Sequence, residues 1–371
     1  MSKEDIHAVV VPKWGLTMEE GLISAWHVTE GSAVALGDEL LEIETSKITN
    51  DVEATQAGIL RRQVGKEGET YPCGALIGVI AEAAVPEEEI TAFVAEHARP
   101  AREQRPVALG PVPQMLEVQG RALRYFTLGT GGAPILLIHG FAGDLNNWLL
   151  VQPALSAERA TYAIDLPGHG GSSKDLSGIN SFEDVADLLF SYLDALKVER
   201  VHIVAHSMGA PIALAMARRA TTRVESLSLL APAALGSVVN PEFVDGLVTA
   251  KTRRQVADVL KLLFVNEKLV SRELAEDMLR FKRLDGVEAA LIKFAGFLSN
   301  DRRSFQEALE GISQPVAVVW GADDKVTSPI TMEKLLERVD LTLLKNTGHM
   351  PHTEQSAATA EAIRKLIERA K

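Results

Sequence analysis

Cysteine is almost missing from this chain: Cys73 is the single one in 371 residues. That excludes an intramolecular disulfide and any metal site built on paired thiols. Lys/Arg runs are missing as well, and the formal net charge is −12. Without a basic face there is nothing to meet a phosphate backbone, so nucleic acid is excluded as a partner, and the acidity is read as serving solubility. Long hydrophobic runs are also lacking. The longest, such as Pro134–Ile138, fall far short of the ~20 apolar residues that span a bilayer. Met1 to His7 is polar and has no apolar signal core. These absences lead to the expectation of a cytoplasmic protein with no membrane partner. What is present is ordinary globular composition, 46% hydrophobic and 24% charged, at a length that favours two domains.

The first eighty residues repeat themselves. Gly21, Gly31 and Gly37 recur as Gly58, Gly68 and Gly74, each displaced by 37 positions. Apolar positions match across the same interval: Leu22 with Ile59, Leu40 with Ile77, Ile43 with Ile80. Both copies read as short alternating strands broken by Gly-centred turns. Neither copy can bury a core alone, so the two are expected to pack face to face as a small sandwich or flattened barrel. Cys73 sits in a turn of the second copy with no histidine close in sequence, and reads as a small half-buried residue.

The copies join through Glu42-Ile43-Glu44-Thr45-Ser46-Lys47-Ile48-Thr49-Asn50-Asp51-Val52-Glu53. Strand-like residues flank a polar hairpin with Lys47 at its tip. A lysine on a hairpin tip is ordinarily a solvated charge; the surrounding repeat changes that reading. Over about residues 6–82, including Met18-Glu19-Glu20-Gly21 and Glu42-Ile43-Glu44-Thr45, the chain resembles the biotinyl/lipoyl domain family. The resemblance implies a cofactor carried on Lys47. Biotin carriers typically flank the lysine with methionines, whereas Ser46 and Ile48 stand here, so lipoate is expected. Lipoyl domains more often have aspartate where Ser46 stands.

From Pro86 the pattern changes. Glu87, Glu88 and Glu89 precede Ile90, Phe93, Val94 and His97, which predicts a short helix with acids in its first turn. Pro100, Pro106, Pro111 and Pro113 then punctuate a polar stretch from Arg99 to Gln114. At ~3.1 Å per residue it could reach roughly 50 Å, unless the short helix docks on one domain and shortens it. The expected division is a carrier domain over 1–82, helix plus linker over 83–114, and a catalytic domain over 115–371. In lipoyl-bearing acyltransferases a small helical module that holds partner enzymes commonly stands in the linker region, but no two-helix pattern occurs there.

After Glu117 strand and helix patterns alternate. Two strand-like pieces over Glu117–Leu128 lead to Ile135–Ile138 and Thr161–Ile164, a helix over Phe182–Leu196, and the strand Val201–Val204. A helix follows Ser207. Strands at Val224–Leu230, Val316–Val319 and Leu341–Leu344 come next, with a last helix from Glu354 onward. Such alternation implies a mostly parallel sheet sandwiched by helices, with chemistry at the carboxyl ends of strands. Residues 235–312 carry helical patterns without strands and are expected to form a lid that controls substrate shape and water access.

Three strand ends carry candidate catalytic residues. Ala205-His206-Ser207-Met208-Gly209 is a G-x-S-x-G nucleophile elbow with alanine in the first position, set between a strand and a helix as that motif requires. Trp320-Gly321-Ala322-Asp323-Asp324 follows a later strand; Asp324 is the preferred acid and Asp323 the alternative. Asn346-Thr347-Gly348-His349-Met350 follows the last strand and supplies His349 as base. A serine hydroxyl needs a base to take its proton and a carboxylate to orient the resulting imidazolium. The oxyanion needs preorganised N–H donors, expected from Met208 and from Phe141 in His139-Gly140-Phe141-Ala142-Gly143. His139 and His169 read as turn architecture. His206 is given no chemistry, and His7, His27, His97, His202 and His352 read as structural.

Residues 115–371 resemble the α/β-hydrolases. The whole architecture resembles the dihydrolipoamide acetyltransferase family of acetoin dehydrogenase complexes, in the form with a hydrolase-like catalytic domain. That resemblance implies acetyl transfer from a dihydrolipoyl arm on Lys47 to coenzyme A, through an acyl-serine intermediate. It also implies two partners, a thiamine-diphosphate-dependent acetoin-cleaving component and a dihydrolipoamide dehydrogenase. Tethering raises the effective concentration of the arm to ~mM. No His-x-x-x-Asp-Gly signature of other 2-oxo-acid acyltransferases occurs. A hydrolase that uses water as acceptor, and a carrier with an idle hydrolase scaffold, remain the alternatives. Oligomeric state is left open, a homo-oligomer included.

Overall fold

The computed structural model describes residues 6–12, 20–44, 49–97, 112–233, 236, 239–301, 303–327 and 338–370. The chain divides into two units, Met1–Gly110 and Pro111–Lys371.

In the first unit the 37-residue repeat becomes two four-stranded sheets. Its strands are β1 (Ile6–Val10), β2 (Glu20–Trp26), β3 (Ala33–Val34), β4 (Glu39–Glu44), β5 (Thr49–Glu53), β6 (Gly58–Gln63), β7 (Thr70–Pro72) and β8 (Leu76–Ala81). One sheet runs β1-β8-β6-β3 and the other β5-β4-β2-β7, so each sheet mixes strands of both copies. The register keeps the repeat: Leu22 lies opposite Glu44 in one sheet, and Ile59 opposite Ala81 in the other. Ile23, Leu40, Ile43, Leu60, Ile77 and Ile80 meet in the core between them. Alternating side chains supply that apolar face, since a strand turns successive residues to opposite sides.

Lys47 lies outside the described residues, as do Ser46 and Ile48. The strands on either side of it are antiparallel, with Glu44 paired to Thr49, Ile43 to Asn50 and Glu42 to Asp51. Cys73 is half-buried, its Sγ facing the Pro12 carbonyl at 3.7 Å.

Helix α1 (Glu87–His97) belongs to the first unit and not to the linker. Its Ile90 is buried in a second small core with Leu76, Val79, Ala81 and Val85. Arg61 anchors the approach, donating to the carbonyls of Glu82 and Val85 and to the Glu87 carboxylate. The first domain therefore extends past residue 82 through the helix, which takes the docked alternative. Of the Pro-rich stretch, residues 98–111 lie outside the described residues.

The second unit is built on one eight-stranded sheet of order β9-β10-β12-β11-β13-β14-β15-β16. These strands are β9 (Gln114–Val118), β10 (Arg121–Leu128), β11 (Ile135–Ile138), β12 (Thr161–Ile164), β13 (Val201–His206), β14 (Val224–Leu230), β15 (Val316–Gly321) and β16 (Asp340–Leu344). Pairing is antiparallel at β9/β10/β12 and parallel from β12 to β16. Central strands β11 and β13 are buried along their whole length, as a sheet covered on both faces requires. The covering helices are α2 (Gln152–Leu155), α3 (Phe182–Ala195), α4 (Gly209–Arg219), α10 (Pro351–Glu354) and α11 (Ser356–Arg369). The terminal helix expected from Glu354 is α11, which starts two residues later; the short α10 precedes it, with Gln355 between them.

Between β14 and β15 stand α5 (Pro241–Thr249), α6 (Arg253–Leu260), α7 (Arg272–Lys282), α8 (Val287–Asn300) and α9 (Phe305–Leu309). An isolated antiparallel bridge, Val239 to Thr327, closes the base of this insertion. Among the described residues no helix is long and apolar enough to cross a membrane.

Candidate active site

Strand β13 ends at His206, and the chain must turn sharply to enter α4. Ser207 takes the strain, with φ of 49°, a left-handed conformation rare for a residue with a side chain. Its backbone is held there: Ser207 N donates to the Leu230 carbonyl at 2.9 Å, and the Ser207 carbonyl accepts from Ala210 N and Ala233 N. Gly209 is required by space, since a Cβ there would lie 2.6 Å from the Ile138 carbonyl oxygen. The turn sets a nearly buried serine between the end of β13 and the N-terminal end of α4, where helix amides favour negative charge.

Asp324 follows β15 and is held by five donors. Its Oδ1 accepts from Val326 N at 2.7 Å and Thr327 N at 2.9 Å. Its Oδ2 accepts from Thr327 Oγ1 at 2.8 Å, Trp320 Nε1 at 3.0 Å and His349 Nδ1 at 2.9 Å. Burial pushes this carboxyl up, but the neighbouring His349 and the hydrogen bonds from His349, Thr327 and Val326 outweigh it and hold the group below its usual range. Asp324 is therefore an anion. A carboxylate only accepts, so the His349 proton sits on Nδ1 and leaves Nε2 free as a base. Both side chains are out of water, at 1% exposure for His349 and 0% for Asp324. Asp323 is exposed, with its N–H on the Thr347 carbonyl.

Gly321 lets the two strand ends meet. A Cβ at this position would run into the carbonyl oxygens of Gly348 and Thr347, so β15 and the His349 loop are in backbone contact. The His349 loop also reaches the neighbour of Ser207: His206 Nε2 donates to the His349 carbonyl at 2.8 Å, and the two rings lie 4.8 Å apart. Gly140, after β11, closes the other side; a Cβ there would be 3.0 Å from Ser207 Cβ and 2.9 Å from His206 Nδ1.

Phe141 and Met208 flank the elbow in this arrangement. Among the described residues neither of their backbone N–H groups finds an acceptor. His139 fixes the loop that presents Phe141: its Nε2 accepts from Leu166 N at 3.0 Å, and its Nδ1 donates to the Gly140 carbonyl at 2.7 Å. Burial drops its pKa to about 4, so the ring is neutral and keeps one donor and one acceptor. The insertion between β14 and β15 adds Phe243 from α5, packed edge-on to Phe141 at 6.5 Å and tilted over His349 at 6.3 Å between ring centroids.

Known proteins resemble the chain in both units. The family model of the alpha/beta hydrolase fold matches residues 133–355, and that of the biotin-requiring enzymes matches residues 7–80. A protein of Pseudomonas putida is 42% identical over 94% of this chain and 95% of its own length. One of Cupriavidus necator is 38% identical over 94% of each. Both are the dihydrolipoyllysine-residue acetyltransferase component of an acetoin cleaving system. The chain belongs to this acetyltransferase family. Its second unit alone matches a meta-cleavage product hydrolase at TM-score 0.62 and 23% identity, over 70% of this chain and 98% of that one, a likeness of fold.

Sequence reasoning passed over four residues of this candidate site. Trp320 and Thr327 both bond Asp324; a buried indole N–H needs an acceptor, and an aspartate commonly accepts from amides two and three residues on, so both had a local signal. Phe243 had none, because only the tertiary fold brings α5 over the base. His206 was named but given no part, and the bond to His349 spans 143 residues of sequence.

Proposed function

We propose that this chain transfers an acetyl group from a dihydrolipoyl thioester to the thiol of coenzyme A, through an acyl-Ser207 intermediate. The buried Asp324–His349 hydrogen bond carries this reading. It orients the His349 imidazole, and Ser207 is already held in a strained turn; an oriented base is what a hydroxyl needs to act as a nucleophile.

Lys47, between the paired strand ends Glu44 and Thr49, would hold lipoate as an amide. When bound, that group supplies a dithiol arm that carries the acyl group as a thioester. The rest is done by this chain's residues. Ser207 Oγ attacks the thioester carbonyl while His349 Nε2 takes its proton, and Asp324 stabilises the imidazolium. The N–H groups of Phe141 and Met208 take the oxyanion. His349 then protonates the departing thiol. In the second half the acceptor thiol gives its proton to His349 and attacks the acyl-serine; the Ser207 ester bond breaks, Ser207 Oγ takes that proton back from His349, and the acyl group leaves as a new thioester. Thiol for thiol, the exchange needs no water and no redox change.

The partners that supply and recycle the arm are a thiamine-diphosphate-dependent acetoin-cleaving component and a dihydrolipoamide dehydrogenase, as the acetoin-cleaving membership of the relatives suggests. The test gives the full chain S-acetyldihydrolipoamide with and without coenzyme A, and follows acetyl-CoA and free acetate. Acetyl-CoA formation that needs both Ser207 and coenzyme A is expected. Acetate released at one rate whether or not coenzyme A is present would make the chain a thioesterase instead.

A further inference from the structure

We infer that Glu354 is a positioning residue that makes the seating of the lid and the seating of the general base a single structural event. The inference rests on His349 being that base. Glu354 closes α10, five residues after His349, and its carboxylate is shared between two segments. Oε2 accepts from Gly348 N at 2.6 Å, in the base loop. Oε1 accepts from Val265 N at 2.9 Å and Asn266 N at 3.3 Å, in the lid. Beside them His349 N donates to the Leu263 carbonyl at 2.9 Å.

Four hydrogen bonds thus join residues 263–266 of the lid to residues 348–349 of the base loop, three of them through one side chain. The backbones are in direct contact. A Cβ on Gly348 would lie 2.8 Å from the Leu263 carbonyl oxygen and 3.2 Å from Phe264 Cα. No side chain stands between the two segments to absorb relative motion, so the lid cannot lift at 263–266 without drawing on the main chain of His349.

The chemistry of the clamp requires a carboxylate. All three partners are N–H donors, and only an acid presents two acceptor oxygens to them. An amide in its place would satisfy one segment and point N–H at N–H toward the other. A residue that merely anchored a loop would change stability. One that couples lid to base also changes how fast Ser207 reacts, because His349 must hold its geometry for proton transfer.

The test is Glu354→Gln in the full chain, read by the rate at which a fluorophosphonate labels Ser207. The maximal labelling rate is expected to fall about 10- to 100-fold, with half-saturation changed by less than about threefold. A maximal rate within about twofold of the parent would overturn the inference. Amide hydrogen exchange of the parent chain provides a second reading that needs no variant. Val265, Asn266, Gly348 and His349 are expected to open with one shared protection factor. Protection differing by more than about tenfold between the lid pair and the base-loop pair would show two independent openings and overturn it. Ser207→Ala separates this from the reading beneath it: labelling that persists in that variant refutes the triad, whatever Glu354 does.

Discussion

His206 Nε2 donates to the main-chain carbonyl of His349 at 2.8 Å, which ties the residue before the nucleophile to the residue that would activate it. The ring is fully enclosed. Burial, with His352 and His349 beside it, drives its pKa well below the ordinary value. It therefore stays a neutral donor across the working range, and the link does not open with pH.

Replacing His206 by alanine should leave the fold intact and lower kcat for acyl transfer about 10- to 100-fold, with a smaller change in KM, because the base loop loses a support rather than the substrate a contact. Steady-state kinetics check this. An unchanged kcat would mean that the loop is held well enough by Asp324 and Thr327.

Asp324→Asn should cut turnover by about 1,000- to 10,000-fold, since the amide favours the wrong tautomer of His349. It should also cost stability. A carboxyl held below its unfolded value stabilises the fold above that value, and the contribution disappears as pH falls through the lowered one. The stability gap between parent and variant should thus be flat from about pH 7 to 5 and shrink below about pH 4. Denaturant titrations at several pH values measure it.

Four enclosed histidines predict acid sensitivity. Burial first, with like-charged neighbours adding to it in His169 and His352, lowers His139 to about 4 and His169 and His352 to about 3, and His206 falls well below the ordinary value of 6.5. Unfolded, each takes a proton near 6.5; folded, each refuses it. The unfolded state binds more protons in that window, so stability falls as pH drops below about 6.5, by up to ~1.4 kcal/mol per pH unit per histidine. His352→Phe should reduce the proton uptake on unfolding by about one near pH 5. Comparing denaturation midpoints at two pH values tests the slope.

Phe243 closes the site between Phe141 and His349. Truncation to alanine should open space for longer acyl chains, raising the rate with butyryl or longer thioesters relative to acetyl by about 10-fold. A panel of acyl-dihydrolipoamides of increasing length reads this out, and an unaltered chain-length preference would place the acyl pocket elsewhere.

Lys47→Arg should abolish lipoate attachment, seen by intact mass, while fluorophosphonate labelling of Ser207 continues at the parent rate. Loss of labelling in that variant would contradict the division of labour between the two units.

The sequence by itself determined a great deal here, for local reasons. The 37-residue repeat announced a two-sheet unit because glycines at turns and alternating apolar residues are local requirements, and the strands around Glu44 and Thr49 pair as that pattern demands. The boundaries of β11, β12 and β14 were legible because central strands are short apolar runs between turn residues. The strained turn at Ser207 was legible from its elbow motif, and the places of Asp324 and His349 from the strands they follow. Tertiary structure alone decided the rest. It distinguished Asp324 from Asp323 by burying one beside His349 and leaving the other exposed. It docked α1 on β8, brought Phe243 over His349, and joined Glu354 to Val265 in the insertion between β14 and β15. Periodicity and turn chemistry act over a few residues, whereas these contacts depend on where separate segments of a packed chain come to rest.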